Sequence, residues 1–306
     1  MKLGLGLPVS GAWATPEMIA TIATEAEKAG YASLWSFQRL LIPEGADMAA
    51  NYLSVLDPMA PLAFAAALTR TIRLGVAVIN IPFVSPAYLA KQAATIDVLS
   101  NGRHDLGLGI GWMPEEFALT GAEMARRGAR MEEYVQVLRA LWGPQPTRFD
   151  GDFYQVPQGS TAPPPARLGG PPILIGGLAR AALERVGRIG DGWVTSSRTD
   201  LSKIGESITI IREAAAAAGR DPSSLRVVCR GVVRAGAEAR TDGGERILLS
   251  GSPLTIREDV AWLATQGVTE VFFDLNWDPT IGSPDADPAY IADRTAYLLD
   301  ALAPAT

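Results

Sequence analysis

Two glycine-rich stretches and a scarcity of reactive side chains bound the chemistry open to this chain. Ile173-Leu174-Ile175-Gly176-Gly177-Leu178-Ala179 reads as a strand that runs through two glycines into a helix. Paired glycines let backbone approach a ligand closely, and the free amides of a helix start attract an anion. A tight turn with no ligand has the same pattern, so both readings stay open. The second stretch is Gly102-Arg103-His104-Asp105-Leu106-Gly107-Leu108-Gly109-Ile110-Gly111-Trp112. Glycines at alternate strand positions clear one face, either for a flat ligand or for tight packing of a barrel interior. The spacing does not fit a dinucleotide fingerprint, which requires a strand-to-helix turn.

Few side chains remain for nucleophilic or metal chemistry. There is one histidine, His104, and one cysteine, Cys229. An internal disulfide is therefore impossible, a zinc site of histidine and cysteine is disfavoured, and a histidine triad would have to pass through His104. His104 opens a strand and reads as structural; Cys229 sits in an apolar strand and reads as core. Arg126, Arg127 and Arg130 beside Glu132 and Glu133 read as ion pairs along one helix. The seven tryptophans are too scattered for a nucleic-acid stacking platform, but Trp112 and Trp277 fall on loops that can line a pocket. With 27 basic and 33 acidic residues the net charge is −6, which disfavours nonspecific nucleic-acid binding. No run approaches 18 uncharged apolar residues, so no membrane span is expected. Met1–Pro8 reads as a strand rather than a signal peptide, and the expected location is cytoplasmic.

The elements that must position these residues alternate strictly. Strands are expected at Lys2–Leu7, Ser33–Ser36, Arg73–Asn80, His104–Ile110, Ile173–Ile175, Gly192–Ser196, Arg226–Arg234 and Glu270–Leu275. Helices are expected at Pro16–Ala29, Asp57–Thr69, Pro86–Leu99, Met124–Trp142, Ala179–Ile189, Leu201–Ala218, Thr255–Gln266 and Pro288–Leu302. Eight strand–helix pairs imply a parallel sheet closed into a (β/α)₈ TIM barrel, with an open doubly wound sheet as the alternative. The expected organisation is a single domain over residues 1–306 with an insertion at about 143–172 before the fifth strand. Within that insertion Phe149–Tyr154 reads as a small hairpin with a glycine turn. Long loops at Gln38–Leu56, Gly111–Glu123 and Asn276–Asp287 lie where barrel active sites form, after the strands.

Taken together, these blocks resemble the luciferase-like superfamily of flavin- and deazaflavin-dependent oxidoreductases, in particular its coenzyme F420 branch. The resemblance rests on Ala29-Gly30-Tyr31-Ala32-Ser33-Leu34-Trp35, on Ala90 to Arg103, on Leu106-Gly107-Leu108-Gly109-Ile110-Gly111-Trp112 with Glu115-Glu116-Phe117, on Arg127 to Trp142, and on Gly176-Gly177 with Arg188-Ile189-Gly190-Asp191-Gly192-Trp193. It implies a flavin-type ring in the barrel mouth, beside Gly109, Gly111 and Trp112. It also implies a non-prolyl cis peptide behind the ring at Ala77 and Val78, and a polar contact from Asn80. The cofactor phosphate is expected near Gly176, Gly177 and Leu178, with further tail contacts from Thr195, Ser196 and Ser197. A homodimer is the family expectation.

One departure is informative. Many relatives carry Asp-His after the second strand, where this chain has Gln38-Arg39. In the deazaflavin-dependent sugar-phosphate dehydrogenases a glutamate follows the fourth strand, where this chain has Trp112, with Glu115 and Glu116 three and four residues on. Arginine cannot be a general base near neutral pH, so that dehydrogenase chemistry is not expected. Arg39 is instead expected to bind an anionic substrate or stabilise charge on a carbonyl oxygen, with Gln38 beside it; its structural alternative is a lid ion pair with Glu44 or Asp47. The leading expectation is hydride transfer between coenzyme F420 and a small organic substrate. The alternatives are an FMNH2-dependent monooxygenase working with a separate cofactor reductase, and an inactive flavin-binding barrel. The deazaflavin tail would need cations beyond the phosphate, for which Arg180 and Arg198 are the candidates.

Overall fold

The computed structural model describes residues 1–236 and 238–304. Eight parallel strands close into a barrel: β1 (Lys2–Gly6), β2 (Ser33–Ser36), β3 (Arg73–Asn80), β4 (His104–Gly109), β7 (Ile173–Gly176), β8 (Gly192–Val194), β9 (Arg226–Val232) and β12 (Glu270–Asp274). Their order follows the chain around the barrel, and β1 closes it against β12 with Lys2 opposite Glu270. The closed (β/α)₈ architecture is the one the alternation predicts, and the open sheet is excluded. Among the described residues no helix is long and apolar enough to cross a membrane.

The connecting helices are α1 (Pro16–Lys28), α2 (Met59–Leu68), α3 (Pro86–Leu99), α5 (Arg127–Trp142), α6 (Arg180–Ile189), α7 (Ile204–Ala217), α8 (Pro253–Thr265) and α9 (Pro288–Ala301). Their starts follow local chemistry. Thr15, Ser85 and Ser252 each accept a backbone N–H three residues on, and a proline follows each cap. The expected start of α2 at Asp57 moves to Met59, because the Asp57 carboxylate accepts the Met59 and Ala60 N–H groups and so stands outside the helix. The expected start of α5 at Met124 moves to Arg127, because Arg126 takes a left-handed conformation at φ 55°. Two features are not among the expected elements, and the strand expected to run to Arg234 ends as β9 at Val232. Pro114 opens a short helix, α4 (Pro114–Thr120), which Gly121 ends at φ 67°. The stretch after β9 carries a two-stranded parallel ribbon, β10 (Arg234–Ala235) and β11 (Ser250–Gly251).

The insertion before β7 holds the hairpin of β5 (Thr147–Asp150) and β6 (Gln155–Gly159), paired antiparallel. Its turn is fixed to α5 by one carboxylate: Glu133 accepts the N–H groups of Asp152, Phe153 and Tyr154. The expected ion pairs along α5 do not form. Arg127 donates to the Gly111 carbonyl at 2.7 Å, Arg126 and Arg130 pair with Asp152 and Glu123, and Glu132 pairs with Arg185 and Arg188 on α6. The helix uses its charges to fasten neighbouring segments.

The barrel interior is filled by Trp35, Ala77, Leu174, Val194, Val228 and Phe272. Trp35 and Phe272 stack with centroids 5.3 Å apart. The indole fits because position 75 is glycine; a β-carbon there would stand 2.4 Å from the ring. Below the indole lies a polar plug. Glu270 accepts Ser33 Oγ at 2.5 Å and Trp35 Nε1 at 3.0 Å on one oxygen, and Arg226 at 3.0 Å on the other. Arg226 and Arg73 together hold Asp105, which is fully buried. Burial alone would raise the Asp105 carboxyl, but the two guanidinium groups outweigh it and hold it below its ordinary value.

Candidate active site

A cavity of about 360 Å³ opens at the C-terminal ends of the strands. It is the position at which barrel enzymes place their chemistry. Its floor is the irregular part of β3. The β3–β4 register shifts between Val76 and Ile79, and the Ala77–Val78 peptide is cis, at the positions implied by the resemblance. Gly109 and Gly176 adjoin that floor: a β-carbon on Gly109 would stand 2.6 Å from the Val78 side chain, and one on Gly176 3.2 Å from it. Side chains at these two positions would fill the seat of a flat ring. Gly107 is different, since its β-carbon would lie 2.0 Å from the Val76 carbonyl oxygen. Of the alternate glycines, Gly107 is therefore there for packing, while Gly109 and Gly111 line the cavity.

Asn80 braces this floor. Its side-chain oxygen accepts the Gly111 N–H at 3.1 Å, and its own N–H donates to Gln38 Oε1 at 2.9 Å. Gln38, Asn80 and Gly111, from three successive βα connections, are thus joined. Gly111 sits at φ 68° between Phe83 and Phe117, which fixes where Trp112 leaves the strand. Trp112 is 47% exposed and forms a wall.

Arg39 does not pair with Glu44 or Asp47. Its Nη1 lies 3.0 Å from Glu116 Oε1 and 3.4 Å from Met113 Sδ, with the two charged side chains 5% and 2% exposed. The guanidinium packs over the Tyr52 ring at 4.4 Å and the Trp112 ring at 5.1 Å. Glu116 also accepts the Leu40 N–H at 2.8 Å, so α4 clamps the loop after β2. A compensated guanidinium attracts an anion far less than a free one, which weakens the expected anion-binding role of Arg39.

Gly176, Gly177, Leu178, Thr195, Ser196 and Ser197 with Arg198 line the same cavity. A β-carbon on Gly177 would stand 2.5 Å from that of Ala182, so the turn brings α6 close against β7. The cap of α6 is Ala179, which has no capping side chain, and the first amides of the helix are left for another acceptor. Thr195 Oγ1 accepts the Arg230 N–H, and Ser196 Oγ accepts that of Arg198. Arg198 stacks on Trp112 at 4.5 Å and has no carboxylate partner among the described residues. Arg180, the other expected tail cation, is directed elsewhere: it is exposed and pairs with Glu184 one turn along α6.

Apart from Arg180, the residues expected at the site, from Gln38 and Arg39 through Ala77, Val78 and Asn80 to Ser197, line this one cavity. The sequence reading missed Arg230. Its Nε and Nη2 reach Asp274 Oδ2 at 2.6 and 2.5 Å, its Nη1 lies 3.4 Å from the Ala77 carbonyl, and its guanidinium packs over Phe37 at 4.8 Å. The available signal was an arginine inside the apolar run Val227-Val228-Cys229-Arg230-Gly231-Val232. His104 and Cys229 lie away from the cavity. His104 is buried with Nδ1 on the Leu74 carbonyl, and burial pushes the Cys229 thiol up to about 12.

Comparison with known proteins agrees with this geometry. The chain is 36% identical to the uncharacterized protein Rv0953c of Mycobacterium tuberculosis over 174 residues, 56% of this chain and 60% of that one. It thus spans about three fifths of the length of that relative. A segment of 135 residues, 43% of the chain and 36% of the relative, is 38% identical to an FMNH2-dependent dimethylsulfone monooxygenase of Pseudomonas fluorescens. The fold matches the monooxygenase RslO1 from Streptomyces bottropensis with a TM-score of 0.79 at 23% identity, covering 98% of both chains. It matches the coenzyme F420-dependent tetrahydromethanopterin reductase of Methanopyrus kandleri with a TM-score of 0.76 at 17% identity, covering 99% and 98%. At such identities the likeness is one of fold. The family model described as luciferase-like monooxygenase matches residues 5–242, and the chain therefore belongs to the luciferase-like family of oxidoreductases and monooxygenases.

Proposed function

We propose that this chain is a coenzyme F420-dependent oxidoreductase that transfers a hydride between a deazaflavin ring and a small organic substrate. The observation that supports the choice of cofactor is the space beyond the anion corner. Ser197, Arg198 and Arg230 are shared with a second cavity of about 370 Å³, which Arg234, Arg246, Asp200 and Glu245 also line; Arg230 and Arg246 are held by Asp274 and Asp259, so the cations it offers an acidic tail are Arg198 and Arg234. FMN ends at its phosphate, whereas the deazaflavin coenzyme continues into an acidic tail that needs room and cations. The residues present fit such a group. Gly109, Gly176 and the Ala77–Val78 peptide leave a flat seat, and the uncapped start of α6 with Arg198 offers donors to a phosphate.

When bound, a deazaflavin supplies two-electron hydride chemistry. The chain's own part is placement. Asn80 and Gln38 hold the floor, and Tyr52, Phe37 and Trp112 exclude water from the reacting face. Among the described residues no imidazole, thiol or carboxylate lines the cavity, and its phenol, Tyr52, lies under the Arg39 guanidinium. The groups beside the substrate, Gln38, Arg39 and Arg230, therefore act by donating hydrogen bonds to an oxygen rather than by taking a proton.

The second reading is an FMNH2-dependent monooxygenase served by a separate reductase. The identity shared with the dimethylsulfone monooxygenase favours it. Titration of the protein with oxidised coenzyme F420 and with FMN, read by cofactor fluorescence, separates the two. Micromolar F420 binding with FMN much weaker is expected. Arg198→Ala should weaken F420 binding about tenfold without moving Tm, because an exposed arginine without an ion pair contributes little to stability. Tight FMN binding with no F420 binding overturns the proposal in favour of the monooxygenase.

A further inference from the structure

We infer that the substrate end of the cavity selects a neutral, planar molecule bearing a carbonyl-type oxygen, and that Glu116 sets this selectivity by compensating Arg39. The inference deepens the proposed function and rests on its placing of the substrate in this cavity. Two arginines reach the reacting end, and a carboxylate compensates each. Arg39 Nη1 is 3.0 Å from Glu116, and Arg230 Nε is 2.6 Å from Asp274. All four side chains are at least nine-tenths buried. Aromatic rings cover the guanidinium groups, with Tyr52 and Trp112 on Arg39 and Phe37 on Arg230.

The four charges sum to zero. An anion entering here would lose its hydration shell and gain little attraction in return. The lining arginine that lacks a carboxylate partner among the described residues is Arg198, and the proposed reading commits it to the anionic end of the cofactor. Hydrogen-bond donors remain where charge does not. Gln38 uses its side-chain oxygen on the Asn80 N–H, which leaves its NH₂ group to donate. Arg39 engages Glu116 and Met113 through Nη1, which leaves Nη2 as a donor. A neutral oxygen acceptor on a flat molecule between aromatic walls matches that arrangement.

The test uses two probes of one shape, benzamide and benzoate, titrated calorimetrically into cofactor-free Arg198→Ala protein, from which the guanidinium of the same cavity that lacks a carboxylate partner among the described residues has been removed. This parent is expected to bind benzamide and to reject benzoate by about tenfold or more. Adding Glu116→Gln keeps an oxygen for the Leu40 N–H but leaves Arg39 uncompensated. It should raise benzoate affinity about tenfold and leave benzamide affinity within about twofold. Adding Glu116→Asp instead keeps the charge and should keep the rejection. The inference is overturned by equal binding of the two probes to the parent, by no saturable benzamide binding, or by Glu116→Asp admitting benzoate as well as Glu116→Gln does. If the Glu116→Gln protein does not fold, the parent's ratio decides alone. Because no cofactor is present, these titrations and the F420 titration can fail independently.

Discussion

Both ends of the barrel bury arginine–carboxylate pairs, and they finish them differently. At the N-terminal end every oxygen of Asp105 and Glu270 has a donor, drawn from Arg73, Arg226, Ser33 and Trp35. At the C-terminal end Arg230 donates to one oxygen of Asp274 and Asn276 to the other, Arg39 Nε is buried without a partner, and aromatic rings cover the guanidinium faces. The same kind of pair closes one end and leaves donors beside a cavity at the other. Of the four paired arginines, Arg39 is the one with a buried nitrogen left without a partner, so the state of the guanidinium, rather than the presence of charge, separates the plug from the cavity end.

The largest effect that would break this comparison is at the plug. Asp105→Ala leaves Arg73 and Arg226 facing each other in a buried site and should cost about 3–5 kcal/mol, measured by urea unfolding. In the wild type the same carboxylate titrates below its ordinary value of 3.8. Its contribution is thus present above that pH and fades as the pH falls below it. A cost for Asp105→Ala no larger than that of Glu116→Gln would erase the distinction between the two ends.

Two glycines of β4 sharpen the contrast within one strand. Gly107→Ala drives a methyl against the Val76 carbonyl and should destabilise by about 1–3 kcal/mol, with little effect on cofactor binding once folded. Gly109→Ala meets the movable Val78 and Asn80 side chains at the cavity floor. It should cost less stability and weaken binding of the proposed F420 cofactor more. The unfolding and fluorescence titrations should rank the two variants in opposite order; the same ranking in both would show that the strand does not divide its roles by height.

The smallest effect concerns His104. Burial outweighs the hydrogen bond to Leu74 and holds its pKa below 6.5, so the fold keeps the ring neutral. The unfolded chain takes up a proton that the native state refuses, and stability falls as the pH drops through about 6.5. The slope is at most about 1.4 kcal/mol per pH unit. His104→Gln should flatten it between pH 7 and 5 in calorimetric scans.

The barrel itself was legible because strand and helix periods, caps and terminal glycines are local signals. The short α4 and the β10–β11 ribbon were not, since neither is long enough to show a period. Positions lining the cavity were legible for the same reason: strand ends mark it. Partners were not. Glu116 is 77 positions from Arg39 along the chain, and the charges of α5 engage other segments rather than their own helix. Arg230 needed the closed barrel before Asp274 could stand beside it. Electrostatic pairing is a property of the packed molecule, and spacing within one helix was a poor guide to it.

The Arg39–Glu116 clamp also constrains how this protein can diverge. Replacing the glutamate first strands a buried cation, and replacing the arginine first strands a buried carboxylate. Each single change should lower stability, while the double change to a neutral pair should restore balance. The two positions, one on the loop after β2 and one on α4, are thus expected to be non-additive in a double-mutant cycle.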